Sequence, residues 1–321
     1  MSISEFLERN YRHFNARETL AAAQAYREHL DAGGKMLVSL AGAMSTAEIG
    51  ISLAPLIRSG KVHAISCTAA NLEEDLYNLI ANRDYRMVPN YRDLGPADEL
   101  ALRNEGFNRV TDTCIPEDVI RDVEGILLKY WQEADTAGES YFPHEYLFRL
   151  LREGQLESQY QIPSEDSWLV AAEQMNIPVY VPGFEDSTTG NIFAARVLDG
   201  SVSRHSVVRS GTDQMQQLVQ WYREQSSDGK GIGFFQVGGG IAGDFAICAV
   251  PLILQDLQQE VPLWSYFAQI SDSVTSYGSY SGAVPNEKIT WYKLDVDCPK
   301  FMINSDASIV APLIFAYVMG L

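Results

Sequence analysis

Apolar positions along this chain fall into short runs that stop at small or polar residues. "KMLVSLAGA" (35–43) leads into "MSTAEIGISLAPLIRSG", and "KVHAISCTAAN" leads into "LEEDLYNLIANRD". Farther on come "IPVYVPGFEDSTTGN", "GIGFFQVGGGIAGDFAICAVPLIL" and "PLWSYFAQISDS". Each begins as a strand and ends in Gly, Ser, Thr or Asp, and several continue into a helical pattern. Strands alternating with helices predict a parallel sheet covered on both faces. Ligands of such sheets sit beyond the carboxyl ends of the strands, where these polar tips gather. Residues 1 to about 33 are rich in Ala, Glu, Leu and Arg and predict helix. Residues 85–118 lack clean periodicity and read as an excursion from the core. With no low-complexity linker and no internal repeat, residues 1–321 read as one α/β domain.

One further run behaves differently. "YSGAVPNEKITWYKLDVD" (280–297) starts as a Ser-Gly-Pro loop and ends in alternation that predicts a strand. In an extended chain Trp291 and Lys293 point to the same face. Either this is an edge strand with a solvated lysine, or the amine is held in a partly apolar pocket as a nucleophile.

Composition narrows the ligand. The 321 residues are 46% hydrophobic and 21% charged, which suits a packed globular protein. The net charge of −18 argues against a nucleic-acid partner, since phosphate binding needs clustered Lys and Arg. It suits a cationic small molecule, or does no more than keep the protein soluble. Cys67, Cys114, Cys248 and Cys298 are scattered, with no metal-ligand spacing, and read as reduced thiols. The five histidines fall in no metal or triad spacing. The charged start has no signal-peptide core, and no apolar run approaches the length of a membrane span, so a cytoplasmic protein is expected.

The tips supply the remaining candidates. After Leu40 comes "AGAMSTAE", after Cys67 "TAANLEED" and after Val237 "GGGIAGD". Small residues at helix starts let backbone N–H groups approach a phosphate, although none of these matches G-x-G-x-x-G. Asp186 could hold a ribose hydroxyl or cap a helix. Glu73, Glu74 and Asp75 either complement the helix dipole or hold an ammonium group.

Together these stretches resemble the deoxyhypusine synthase family over nearly the whole chain. "TAANLEEDLYNLIA", "IPVYVPGFEDSTTGN", "VGGG", "GSYSGAVPNEKITWYKLD" and "NSDASIVAPLIFA" carry the resemblance, in family order and spacing. It implies a Rossmann-like NAD-binding fold and a homotetramer with active sites between paired subunits. It also implies NAD-dependent transfer of an aminobutyl group from a polyamine such as spermidine, through an imine on a lysine. Lys293 falls at the position of that nucleophile. Trp291 would hold the cationic chain by cation–π attraction, on the order of 1–2 kcal/mol when desolvated. Glu287 matches an acid that binds a polyamine nitrogen, and Glu73 and Glu74 match another acidic pair. Ser45, Thr46, Thr68, Ala69, Ala70, Asp186, Gly239, Asp306 and Ala307 match NAD-binding positions. Gly278, Ser279 and Ser281 match the loop before the lysine.

Four positions depart from the family's eukaryotic pattern. Asn191 and Tyr280 stand where aspartates are expected, Asp244 where a histidine is expected, and Tyr277 replaces another acid. These changes imply an altered choice of amine, because an unpaired ammonium in a desolvated pocket is costly. The acceptor is then a small amine such as putrescine, giving homospermidine, or a lysine of translation factor 5A. A homologue that binds NAD or polyamine without turnover is the third reading.

Overall fold

A computed structural model describes residues 1–321. Two helices open the chain, α1 (Ile3–Asn10) and α2 (Phe14–Asp31), where the sequence pattern predicts one. The break follows from Phe14, whose φ of 55° cannot continue a right-handed helix. Next come β1 (Lys35–Leu40), α3 (Gly50–Arg58), β2 (Ala64–Cys67) and α4 (Ala69–Ala81). The aperiodic excursion holds β3 (Arg86–Met87), α5 (Pro96–Asn104), β4 (Phe107–Val110) and β5 (Thr113–Pro116). Its strands form a small antiparallel sheet in the order β3-β5-β4. Then follow α6 (Glu117–Ala137), α7 (Pro143–Arg152), α8 (Trp168–Gln174), β6 (Val179–Tyr180), α9 (Thr188–Leu198) and α10 (Gly211–Gln225). The last third comprises β7 (Ile232–Val237), α11 (Ile241–Ile247), α12 (Ala249–Pro251), β8 (Tyr266–Ile270), α13 (Glu287–Thr290), β9 (Lys300–Ile303) and α14 (Ala307–Met319).

The main sheet is parallel throughout, in the order β6-β2-β1-β7-β8-β9. This is the doubly wound order of dinucleotide-binding folds, and the chain reverses direction across the sheet between β1 and β7. Alternate strand residues point to opposite faces, so the sheet carries two apolar cores. Met36, Val38, Leu40, Ile65 and Phe235 face one core with α2, α3, α4 and α14. Leu37, Ala64, Ile232, Phe234 and Phe267 face the other with α10, α11 and α12. No helix is long and apolar enough to cross a membrane.

The second face also carries a polar row. Tyr180 pairs with Ser66, Ser66 with Ser39, Ser39 with Gln236 and Gln236 with Gln269, across five adjacent strands. All five residues are buried. A buried polar side chain is costly unless it is hydrogen-bonded, so the partners of this row matter. Ser66 Oγ donates to Ala242 O at 2.7 Å, tying α11 to the sheet. The two glutamines reach forward to the loop at 276–283.

The strand predicted around Trp291 and Lys293 does not form. Residues 287–290 make the single helical turn α13, and Tyr292 takes a φ of 56°, which turns the chain back. Lys293 N–H then donates to Lys288 O at 3.0 Å, and only an isolated bridge joins Leu294 to Trp264. A seven-residue alternation is short enough for one turn of helix to override it.

Candidate active site

The loop before Lys293 is fixed from beneath by the two strand glutamines. Tyr280 OH donates to Gln236 Oε1 at 2.7 Å, and Gln269 Nε2 donates to Ser281 O at 2.7 Å. The glycine turn after β7 meets the same loop, where Gly240 N–H donates to Ser281 Oγ at 3.0 Å. A Cβ on Gly239 would lie 1.9 Å from Ser281 Oγ, so only glycine permits this approach. Gly243 plays the same part in α11, since its Cβ would press on Gln236 and Tyr280.

Between this loop, α11 and α13 lies a pocket of about 740 Å³. Asp244, Gly278, Ser279, Tyr280, Glu287, Trp291 and Lys293 all line it. Lys293 is only 7% exposed, and its Nζ is 3.1 Å from Asp244 Oδ1. Asp244, the departure from the family's histidine, is thus the counter-ion of the candidate nucleophile. Cys248 Sγ lies 3.7 Å from the same Asp244 oxygen.

The aromatic partner of Lys293 differs from the expected one. Its Nζ stands 5.4 Å from the centroid of the Tyr280 ring, while Trp291 is 63% exposed at the pocket rim. Tyr280 therefore does not leave a gap where an aspartate is expected, because its ring forms one wall beside the amine. The indole is free to meet a substrate chain, but it does not desolvate the lysine.

A second amine was hidden by the strand reading. In an extended run Lys288 would point away from Lys293, whereas the helical turn brings both to one pocket. Lys288 is 3% exposed and its Nζ has no hydrogen-bond or ion partner. It sits 4.7 Å from the ring centroids of Phe267 and Tyr280. Burial, with the Lys293 charge second, pushes this amine down to about 8. Gln236 and Gln269 were equally hidden, inside runs that read as apolar strands.

The acids of α4 do not line this pocket, and they serve different ends. Glu73 accepts from Thr188 N at 3.1 Å, Thr189 N at 2.7 Å and the Thr189 hydroxyl, so it caps α9. Burial raises its pKa, against those hydrogen bonds. Asp75 accepts from the Ser167 hydroxyl and from Leu169 N at 3.0 Å, with burial raising it to about 6. Glu74 is the exception. Its Oε2 has no partner, Thr46 lies alongside without completing a hydrogen bond, and burial raises it to about 7.

The candidate dinucleotide residues lie at the carboxyl tips of the strands, from Asp186 after β6 at one edge to Asp306 after β9 at the other. Ser45 is fully committed to the protein: its hydroxyl donates to Asn71 O at 2.6 Å and accepts from Trp168 Nε1 at 2.9 Å. In this arrangement its one O–H is already donated and the side chain is fully buried. Thr46 Oγ1 is buried without a partner. Thr68 caps α4, donates to Gly42 O at 2.7 Å and, with Asn71, ties the β1 and β2 tips together, with Ala69 and Ala70 opening the helix. Gly42 and Gly240 face open space. Asp186 is exposed in the turn after β6, and Asp306 caps α14 through Ser308, beside Ala307. Asn191 lies outside the Lys293 pocket, donating to Glu185 O at 3.0 Å and Ser187 O at 2.6 Å in the first turn of α9.

A family model described as deoxyhypusine synthase matches residues 7–318. A deoxyhypusine synthase-like protein of Nostoc punctiforme is 31% identical over 306 residues, covering 92% of this chain and 73% of its own. A Methanosarcina mazei protein, described as a probable deoxyhypusine synthase 2, is 25% identical over 98% of this chain and 85% of its own. Among solved structures, an Entamoeba histolytica protein assigned as a deoxyhypusine synthase shares the fold at a TM-score of 0.61. That match covers all of this chain and 94% of the other at 12% identity, and it speaks to architecture alone.

Proposed function

The chain belongs to the deoxyhypusine synthase family, a family of aminobutyl transferases, and from that premise we propose NAD-dependent aminoalkyl transfer through an imine on Lys293. The observation that carries the proposal is the Lys293 site. It is an amine withdrawn from water, paired with Asp244 and walled by Tyr280, that opens onto a pocket rimmed by Glu287 and Trp291.

The donor in this reading is a polyamine such as spermidine. Glu287 faces one of its ammonium groups, and the exposed Trp291 ring lies along its chain. When bound, NAD would supply hydride acceptance at the donor carbon and hydride return at the end, so the cycle would carry no net oxidation. The Gly42 and Gly240 openings at the strand reversal and the unpartnered Thr46 hydroxyl fit such a cofactor, and in this reading Gly239, Thr68, Ala69, Ala70, Asp186, Asp306 and Ala307, at these and other strand tips, would contribute to its site. Ser45 would contribute backbone position only.

Lys293 performs the covalent step. Its unprotonated Nζ adds to the imine carbon of the donor, the C–N bond to the departing amine breaks, and 1,3-diaminopropane leaves. The butylamine fragment stays on the enzyme as an imine of Lys293. Asp244, 3.1 Å away, holds the amine in place and steadies positive charge on the nitrogen as the bonds exchange. An acceptor amine then displaces the lysine. A small diamine such as putrescine suits a pocket of this size. The acids of α4 join the site only if subunits pair, which is the arrangement proposed for the assembly, a homotetramer.

The test is borohydride trapping with NAD and spermidine, followed by peptide mass spectrometry, alongside product analysis with and without putrescine. The expected result is a butylamine adduct on Lys293, release of 1,3-diaminopropane, and homospermidine when putrescine is present. Lys293→Ala should lose adduct and products while still binding NAD. An adduct on another residue, or full turnover by Lys293→Ala, would refute the lysine assignment. Transfer only to a protein lysine would instead identify a translation-factor substrate.

A further inference from the structure

We propose that Gln236 is a positioning residue: one buried amide sets the glycine turn after β7 and the aromatic wall of the lysine pocket against each other, so that a change at either is felt at the other. The inference rests on the reading above, in which that turn holds the dinucleotide and the pocket holds the amine.

Gln236 lies in the central strand β7 between Phe235 and Val237, and it is fully buried. An amide in such a place is costly unless its polar atoms are bonded. Here both ends are bonded, and to different loops. Nε2 donates to Gly238 O in the turn at 2.9 Å, and Oε1 accepts from Tyr280 OH in the loop before Lys293 at 2.7 Å. Chemistry fixes which end faces which loop. A peptide carbonyl can only accept, so the NH2 end must face Gly238, which leaves the oxygen for Tyr280 and makes the phenol the donor. The phenol proton is thereby directed into the protein, and the Tyr280 ring is what stands beside Lys293.

Packing holds the amide in that position. A Cβ on Gly243 of α11 would lie 2.6 Å from Gln236 Oε1 and 3.1 Å from Tyr280 Cε1, so the helix closes over both groups with bare backbone. The turn needs a strut of this kind, because Gly238 and Gly240 take φ values of 81° and 66° and glycine restrains its own backbone least. A second tie joins the same two segments: Gly240 N–H donates to Ser281 Oγ at 3.0 Å, while Gln269 Nε2 donates to Ser281 O at 2.7 Å. That tie ends on the loop backbone and its serine. Gln236 is bonded to the ring that walls the pocket, which makes it the direct link from the turn to the surroundings of Lys293. A methionine would fill the same core volume with no polar group to satisfy. What the amide adds is the link.

A double-mutant cycle tests it. NAD affinity is measured by titration calorimetry, with no amine present, for wild type, Tyr280→Phe, Gln236→Met and the double variant. Tyr280→Phe keeps the ring and should weaken NAD about fivefold, the worth of one hydrogen bond. Gln236→Met should weaken it at least as much, and in that background Tyr280→Phe should add nothing. Fully additive losses would overturn the proposal, as would an NAD affinity that Tyr280→Phe leaves unchanged. Amide hydrogen exchange of residues 238–243 reads the same cycle without any ligand: it should quicken in each single variant and no further in the double. If wild type binds no NAD, the proposed function falls and the exchange cycle alone decides the link. If Gln236→Met fails to fold, Gln236→Leu is read by the same criteria. A non-additive cycle in a protein that forms no adduct on Lys293 would sink the proposed function and leave the link standing.

Discussion

Two regions of this protein bury charge next to the sheet, and they do so in opposite ways. On α4, Glu73 and Asp75 are surrounded by donors: threonine and serine hydroxyls and backbone N–H groups from α9 and the start of α8. In the lysine pocket, Lys288 has aromatic rings and no hydrogen-bond partner, and Lys293 has a single carboxylate. Burial raises the acids and lowers Lys288, so it opposes charge in both places. What differs is satisfaction. A buried charge whose bonds are all made holds the fold together, and one left unmade strains it. By that criterion Glu74 belongs with the lysines and not with its two neighbours on the helix.

The largest effect expected from this contrast is at Glu73. Glu73→Ala leaves the N–H groups of Thr188 and Thr189 without an acceptor, and should cost about 3 kcal/mol of stability. Urea unfolding measures it, and a loss below about 1 kcal/mol would mean that water replaces the carboxylate. Glu74→Gln should do the reverse. The folded Glu74 holds its proton up to about 7, while the unfolded chain releases it in the ordinary carboxylate range. Between those values the unfolded state binds fewer protons, so stability falls as pH rises and then levels off. The glutamine variant should remove up to about 3 kcal/mol of that slope and be more stable than wild type at pH 7.5. Lys288 gives the mirror image: the folded chain releases its proton near 8 and the unfolded chain later, so stability rises with pH above 8. The combined contribution of these two groups to stability should therefore be smallest between about 7 and 8. A smaller effect is expected at Tyr280→Phe. It keeps the ring and removes the bond to Gln236, for about 1 kcal/mol and a modest loss of transfer.

The same contrast shows what could be read from the sequence. Five of the six strands of the main sheet were visible because each is a short apolar run ending at a small or polar tip, whereas β9 (Lys300–Ile303) was not read as a strand. The family motifs pointed to Lys293, Glu287 and Trp291, and these three share one pocket. What escaped was everything that depends on a partner distant in the chain. Glu73, Glu74 and Asp75 look alike on paper, and only Thr188, Thr189 and Ser167 separate them. Lys288 drew no reading from the sequence, and only the turn at Tyr292 brings it to the pocket of Lys293. Gln236 and Gln269 sat unnoticed in "FFQV" and "FAQI", because a polar residue within an apolar run gives no sign of which loop it will hold. The small antiparallel sheet was missed since its strands are only two to four residues long and none alternates cleanly between buried and exposed positions.

The polar row from Tyr180 to Gln269 gives the sheet a checksum. Parallel strands find each other late in folding and are prone to pair one step out of place. Here a slip of one residue would turn a serine or glutamine into the opposite, apolar core, and a slip of two would carry Gln236 or Gln269 roughly 6–7 Å from the loop it anchors. Misaligned chains thus lose stability at the same residues that would have misplaced the lysine pocket. Quality control of the fold and alignment of the chemistry become one event, so a molecule that passes the first has already met the second.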